Sequence, residues 1–150
     1  MIGPGWTPEA WRLLAADHPG SSCHFHGPDA GFILELTADT RKIQASDSAV
    51  FFALRGPWHD GHDHLDAAHA HGVRRFVVNH LPPGHATWST DSDVVVVADV
   101  LDLMQGMALA QRVKFSGPVV ALTGSNGKTT VKEWIAQLLP ASVAIGRAHV

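Results

Sequence analysis

The stretch Leu122-Thr123-Gly124-Ser125-Asn126-Gly127-Lys128-Thr129-Thr130 lies between an apolar run and an amphipathic one, and its residue types are those that hold phosphates. Glycines let successive backbone N–H groups turn inward on an anion. The amino end of a following helix adds partial positive charge, and a lysine reaches the terminal phosphates. On this reading the loop from Gly124 to Gly127 turns its N–H groups on phosphates, Lys128 reaches the terminal ones and the Thr129 hydroxyl binds Mg²⁺. The general pattern wants a glycine at position 122, where this chain has Leu122, so the loop is a compact variant. Asn126-Gly127 alone also suits a two-residue hairpin turn. Against a hairpin, the residues that follow have helical rather than alternating period.

Such a loop needs a strand before it and a helix after it. Val119 to Leu122 reads as that strand, and Val131, Trp134, Ile135, Leu138 and Leu139 form an apolar helical stripe ended by Pro140. Upstream, Thr7-Pro8-Glu9 reads as an N-cap, a first-turn proline and an acidic first turn, and Pro19-Gly20 stops that helix. Phe32 to Thr37 is mostly apolar, Asp39 to Asp47 is a polar loop, and Ala49 to Leu54 reads as a buried strand. Leu65 and Ala68 mark a helix with Gly72 just past its end. Phe76 to Val78 and Val94 to Val97 are two more strands, joined by a surface connection from Leu81 to Asp91. Asp99 caps a helix that Ser116-Gly117-Pro118 breaks. Strands alternating with helices predict an α/β architecture with parallel strands.

Composition excludes several classes. The 150 residues carry 11 basic and 14 acidic side chains with neither sign in a block, so there is no electrostatic footprint for nucleic acid. Apolar runs fall far short of a membrane span, and Pro4, Glu9 and Arg12 interrupt the start before any secretory core forms. One cysteine, Cys23, makes no internal disulfide, which suits the cytoplasm. Length would favour one average domain, yet only twenty residues follow Thr130, too few for a nucleotide-binding sheet. The expectation is a fragment: one domain over residues 1–115 and an incomplete nucleotide-binding domain over 117–150.

A second block lies upstream: Thr37-Ala38-Asp39-Thr40-Arg41-Lys42-Ile43, then Phe51 to Gly56, Asp60-Gly61-His62 and Gly72-Val73-Arg74. With the glycine loop it resembles the Mur ligase family, the ATP-dependent amide ligases of peptidoglycan synthesis, over roughly residues 33–139. The resemblance implies an amino-terminal domain, residues 1–115, holding the UDP end of the substrate, followed over 117–150 by the start of a P-loop ATP-binding domain in which Gly124, Ser125, Asn126, Gly127, Lys128, Thr129 and Thr130 bind ATP and Lys128 is catalytic. It implies UDP-binding roles for Asp39, Thr40, Arg41, Trp58, His59, Asp60 and Gly61. Arg41 suits a pyrophosphate because its planar fork bonds oxygens in pairs. The block is most similar to members that join D-alanyl-D-alanine to UDP-N-acetylmuramoyl-tripeptide through an acyl phosphate, with ATP and Mg²⁺. Residues 128–134 resemble the version fused to an alanine racemase. A sibling adding the third peptide residue, a folylpolyglutamate-type ligase and a truncated, non-catalytic UDP-sugar-binding module stay open. The family's acidic Mg²⁺ ligands, modified lysine and closing carboxy-terminal domain are not among these residues, so the chain alone is expected to form no amide bond.

His59, His62, His64, His69 and His71, with Asp60, Asp63 and Asp66 among them, have the chemistry of zinc ligands. Their spacing scatters them around a helix, so a solvated, His-rich helix face is the expectation. Cys23 beside His24 and His26 cannot close a tetrahedron alone, and no base stands by to make it a nucleophile.

Overall fold

A computed structural model describes residues 6–29, 31–43, 46–83 and 90–140. Of these, residues 6–114 form one compact unit and residues 115–140 belong to another.

The first unit is an α/β sheet. Helix α1 spans Pro8–Asp17, with the Thr7 hydroxyl accepting from the Ala10 N–H as N-cap. Strands β1 (Ser22–Phe25), β2 (Glu35–Thr37) and β3 (Ala49–Phe52) follow, then helix α2 (Leu65–Ala70), strands β4 (Arg75–Val78) and β5 (Asp93–Val96), and helix α3 (Val100–Lys114). Asp99 caps α3 by accepting from the Leu101 and Asp102 N–H groups. Gly72, just past α2, has φ of 96°, a left-handed conformation that glycine takes at no steric cost.

The sheet order is β1-β5-β4-β3-β2. Strands β2 to β5 are parallel, as the alternation of elements predicts, but β1 runs antiparallel to β5, so the sheet is mixed rather than wholly parallel. Sequence offered little sign of β1: in Ser22-Cys23-His24-Phe25 only two of four residues are apolar, and as an edge strand it is never fully buried. The inner strands are apolar apart from Arg75 and Asp93 at their starts, because both faces are covered. Val50, Phe52, Val77 and Val95 meet Trp11 of α1 and Leu103 and Met107 of α3 on one face. Phe51, Phe76 and Val94 meet Leu65 and Ala68 of α2 on the other. Each large apolar side chain so buried contributes about 1.5–3 kcal/mol.

The amino edge of the parallel strands holds a buried ionic knot. The Asp93 carboxylate at the start of β5, fully buried, accepts from Arg12 Nε and Nη2 at 3.1 and 2.9 Å and from the Gly27 N–H at 2.8 Å. Arg75, first in β4 and also fully buried, donates to the Asp47 and Pro28 carbonyls. Burial pushes the Arg75 guanidinium below the usual arginine range, with Asp93 opposing that shift. Hydrogen bonding to Asp93 raises Arg12 against the cost of its own burial.

In the second unit, helix α4 spans Lys128–Leu138 and stops before Pro140. The strand expected at Val119 to Leu122 is absent. A strand exists through the ladder it makes, and among the described residues nothing pairs with this segment, whose Val119 and Val120 are exposed. The apolar stripe of α4 is likewise uncovered, with Trp134 62% and Leu138 84% exposed.

Candidate functional site

In an open α/β sheet, ligands bind outside the carboxyl ends of the parallel strands. Both blocks singled out in the upstream sequence lie there, on neighbouring strands. Asp39, Thr40 and Arg41 follow β2: Asp39 caps a 3-10 turn, Thr40–Lys42, and the buried Thr37 hydroxyl both accepts from the Asp39 N–H and donates to its carbonyl. The Asp39 carboxylate takes Arg41 Nε and Nη2 at 2.9 Å each and the Arg41 N–H at 3.1 Å, with Lys42 Nζ at 3.8 Å. The Arg41 side chain, the Arg41 backbone N–H and the two nearby positive charges hold the Asp39 carboxyl down to about 2, against some desolvation. The Arg41 side chain is 86% exposed, so its fork faces solvent while the pair is made.

Trp58, His59, Asp60 and Gly61 lie in the loop after β3. That loop closes on itself: the Gly56 N–H donates to the His59 carbonyl at 2.8 Å, and Arg55 and Asp60 bridge as an antiparallel pair. Trp58 stands at the tip, 88% exposed. Gly61 is buried, its N–H bonded to the Leu54 carbonyl at 2.8 Å, and a Cβ on it would lie 2.7 Å from Ala53 Cα. No other residue fits that approach.

Asp60 is the knot of the loop. Its Oδ1 accepts from the His62 N–H at 3.0 Å and meets His62 Nδ1 at 2.6 Å, while Oδ2 faces Arg55 Nε at 3.5 Å. Those contacts, the backbone N–H of His62 first, hold Asp60 below the usual carboxylate range. His62 therefore corrects the expectation of a solvated His-rich helix face. It belongs to a 3-10 turn, Gly61–His64, before α2 begins, and that tighter turn folds its ring inward until only 5% of the side chain is exposed. His62 Nε2 takes the Asn79 N–H at 3.3 Å, and the ring stacks on His80 at 4.3 Å between centroids. His69 instead pairs with Asp91 at 3.0 Å, far along α2. Among the described residues no three His, Cys, Asp or Glu side chains are grouped as metal ligands.

The glycine loop lies in the second unit. Gly124 has φ of 140° and Gly127, the N-cap of α4, has φ of 80°, with nothing within 4 Å of a Cβ built there. No side chain caps α4, so its first N–H groups face the loop, and Lys128 Nζ folds back onto the Gly124 carbonyl. The Lys128 ammonium thus lies against the backbone of the glycine loop. Ser125, Asn126, Thr129 and Thr130 are all exposed around it. These residues fit a nucleotide triphosphate with Mg²⁺.

A mixed α/β sheet with its polar loops at the carboxyl edge, followed by a glycine loop opening a helix, defines the class. No protein-family model matches the chain. The sequence is 35% identical over 114 residues to the UDP-N-acetylmuramoyl-tripeptide–D-alanyl-D-alanine ligase of Haemophilus influenzae, covering 76% of this chain and 23% of that protein. It is 32% identical over 114 residues to the UDP-N-acetylmuramoyl-L-alanyl-D-glutamate–2,6-diaminopimelate ligase of Ralstonia nicotianae, covering 70% and 21%. Among solved structures, MurF from Acinetobacter baumannii shares the fold at a TM-score of 0.60 and 24% identity, over 91% of this chain and 28% of that one. The chain belongs to the Mur ligase family and spans about a quarter of the length of the relatives it matches. No helix among the described residues is long and apolar enough to cross a membrane.

Proposed function

We propose that residues 1–115 bind the UDP end of UDP-N-acetylmuramoyl-tripeptide. Residues 117–150 begin the ATP site of an enzyme that joins D-alanyl-D-alanine to it in the cytoplasm. The observation that carries this reading is the 35% identity to a ligase of that name over 76% of the chain. The geometry supports it because the residues implicated from sequence occupy the carboxyl edge of neighbouring parallel strands, where such folds take ligands.

A carboxylate is a poor acyl donor, since an attacking amine would have to expel oxide. Transfer of the γ-phosphoryl of ATP to the tripeptide carboxylate creates a phosphate leaving group. The D-alanyl-D-alanine amine then displaces it, giving amide, ADP and phosphate. Positioning and charge neutralisation dominate such a step. Gly124 to Gly127 and the first N–H groups of α4 would cradle the phosphates, Lys128 would neutralise their charge, and the Thr129 hydroxyl would bind Mg²⁺. Arg41 would offer its fork to the pyrophosphate, sharing it with Asp39, beside Thr40. Trp58 and His59 are the groups of the 55–61 loop free to meet the nucleotide, while Asp60 and Gly61 shape it. The diaminopimelate-adding sibling is the second reading, favoured by the 32% identity to such an enzyme.

Calorimetric titration of the chain with UDP-N-acetylmuramoyl-tripeptide, the corresponding dipeptide compound and Mg·ATP tests this. The expected result is saturable tripeptide binding that Arg41→Ala weakens, with little binding of ATP. Stronger binding of the dipeptide compound favours the sibling. No saturable binding of either UDP compound overturns the site.

A further inference from the structure

We propose that His62 is the positioning residue of the 55–61 loop: as a neutral imidazole donating from Nδ1 to Asp60 and accepting at Nε2 from the Asn79 backbone, it ties the loop after β3 to the end of β4. This rests on the reading that the loop receives UDP.

The tautomer follows from the partners. A backbone N–H only donates, so the Asn79 contact at 3.3 Å requires a lone pair on Nε2. The ring proton is then on Nδ1, 2.6 Å from an acceptor-only carboxylate oxygen. The same oxygen takes the His62 backbone N–H at 3.0 Å, so Asp60 is gripped twice by one residue. Asp60 in turn faces Arg55, and the turn between them presents Trp58 and His59. On the other side, the His62 ring stacks on His80 with planes 15° apart, and His80 Nδ1 meets Asn79 Oδ1 at 2.5 Å. Every polar atom of the His62 ring is therefore spent on holding two strand-end segments together. That is the construction expected of a residue that presets a loop before ligand arrives and so lowers the ordering cost of binding.

Two substitutions divide the two bonds. His62→Asn keeps an amide N–H near the Nδ1 position and can still donate to Asp60. His62→Gln places its amide near the Nε2 position, where it can accept from Asn79 but leaves Asp60 without the ring donor. The readouts are UDP affinity by titration of the chain, hydrogen exchange at the Gly56 and Gly61 amides that close the loop, and the nitrogen shifts of the wild-type ring. We expect His62→Asn, which keeps the bond to the charged Asp60 and loses only the neutral one to Asn79, to lose clearly less UDP affinity and less exchange protection than His62→Gln. His62→Gln should lose about tenfold in affinity, the scale of one hydrogen bond to a charged group, with fast exchange at both glycines. A wild-type ring protonated on Nε2 and bare on Nδ1 overturns the proposal without any variant. Wild-type affinity and slow exchange in His62→Gln overturn it as well, as does equal loss in both variants, which would make the ring's packing on His80 the cause. If the wild-type chain binds no UDP, the assignment of the site falls. The exchange of the Gly56 and Gly61 amides then decides alone whether His62 holds the loop: contrast between the variants supports it, and equality overturns it.

Discussion

Asp93→Ala probes what fixes the sheet on which both loops stand. The carboxylate has no exposure and three donors between 2.8 and 3.1 Å, two of them from one Arg12 guanidinium. Removing one member of a buried ion pair costs about 3–5 kcal/mol, because the partner charge stays behind without compensation. Arg12 keeps Asp29 and the Gly27 carbonyl, which pulls the figure toward the lower end. The Gly27 N–H loses its acceptor, worth about 1–3 kcal/mol when buried, and Arg75 loses the nearby charge that offsets its burial. The sum is about 4 kcal/mol. A unit of this size is stable by about 5–15 kcal/mol, so the variant should fold but sit near the edge. Urea unfolding followed by tryptophan fluorescence reads it, since Trp6 and Trp11 are both buried in the core that the knot underlies. Asp93→Asn, which retains an oxygen for Gly27, should lose roughly half as much. A loss under about 1 kcal/mol for Asp93→Ala, at unchanged denaturant dependence, would refute the claim that this carboxylate anchors the amino edge.

Gly61→Ala forces a Cβ to 2.7 Å from Ala53 Cα, backbone that cannot swing aside, and should cost about 1–3 kcal/mol in the same assay while weakening UDP binding. The Asp39 carboxyl, lowered to about 2 from 3.8 chiefly by the Arg41 side chain, should titrate near that value by carbon NMR and return toward 3.8 in Arg41→Ala. The sign follows from a depressed folded-state pKa: the pair's contribution is present above the ordinary carboxylate range and is lost as pH falls from there through about 2. In a full-length ligase carrying this loop, Lys128→Ala should reduce phosphate release by about 10²-fold or more, the usual scale for removing one preorganised charge-stabilising group. Turnover within a few-fold of wild type would remove Lys128 from the phosphate site.

What could be read from the residues was what local chemistry dictates. Thr7, Asp99, Gly72 and Gly127 act at helix ends as their types require, because a cap is decided within four residues. The inner strands announced themselves as apolar runs because both their faces are covered. Elements decided at a distance were less legible. β1 owes its existence to the free edge of β5, and Ser22-Cys23-His24-Phe25 carries no pattern that reveals a partner seventy residues on. Val119 to Leu122 failed in the opposite sense: a run of strand formers makes no strand without neighbours to bond. His62 was misjudged because helical period was applied to a segment that begins as a 3-10 turn, where one residue's shift exchanges an outward ring for an inward one. The cue was nonetheless present in Asp60, which as N-cap fixes where the turn starts and therefore which ring faces the sheet.

The two edges of the sheet treat charge in opposite ways, and that difference argues for the placement of the site. At the amino edge the Asp93 carboxylate is sealed, its oxygens committed to groups that cannot leave without leaving a buried charge unpaired. At the carboxyl edge Asp39 is paired just as closely, but its partner Arg41 is 86% exposed and can be shared with an incoming anion while water compensates any bond it gives up. An anionic ligand competing for Arg12 would have to open the core; one competing for Arg41 only has to displace solvent. His62 extends the same logic, because it lies buried behind the exposed loop and spends its hydrogen bonds on shape, which leaves Trp58 and His59 uncommitted at the surface. An account of the proposed UDP binding based on net charge alone would rank Arg12, Arg75 and Arg41 alike. The partners of each guanidinium rank them in advance, with Arg41 the one free to exchange.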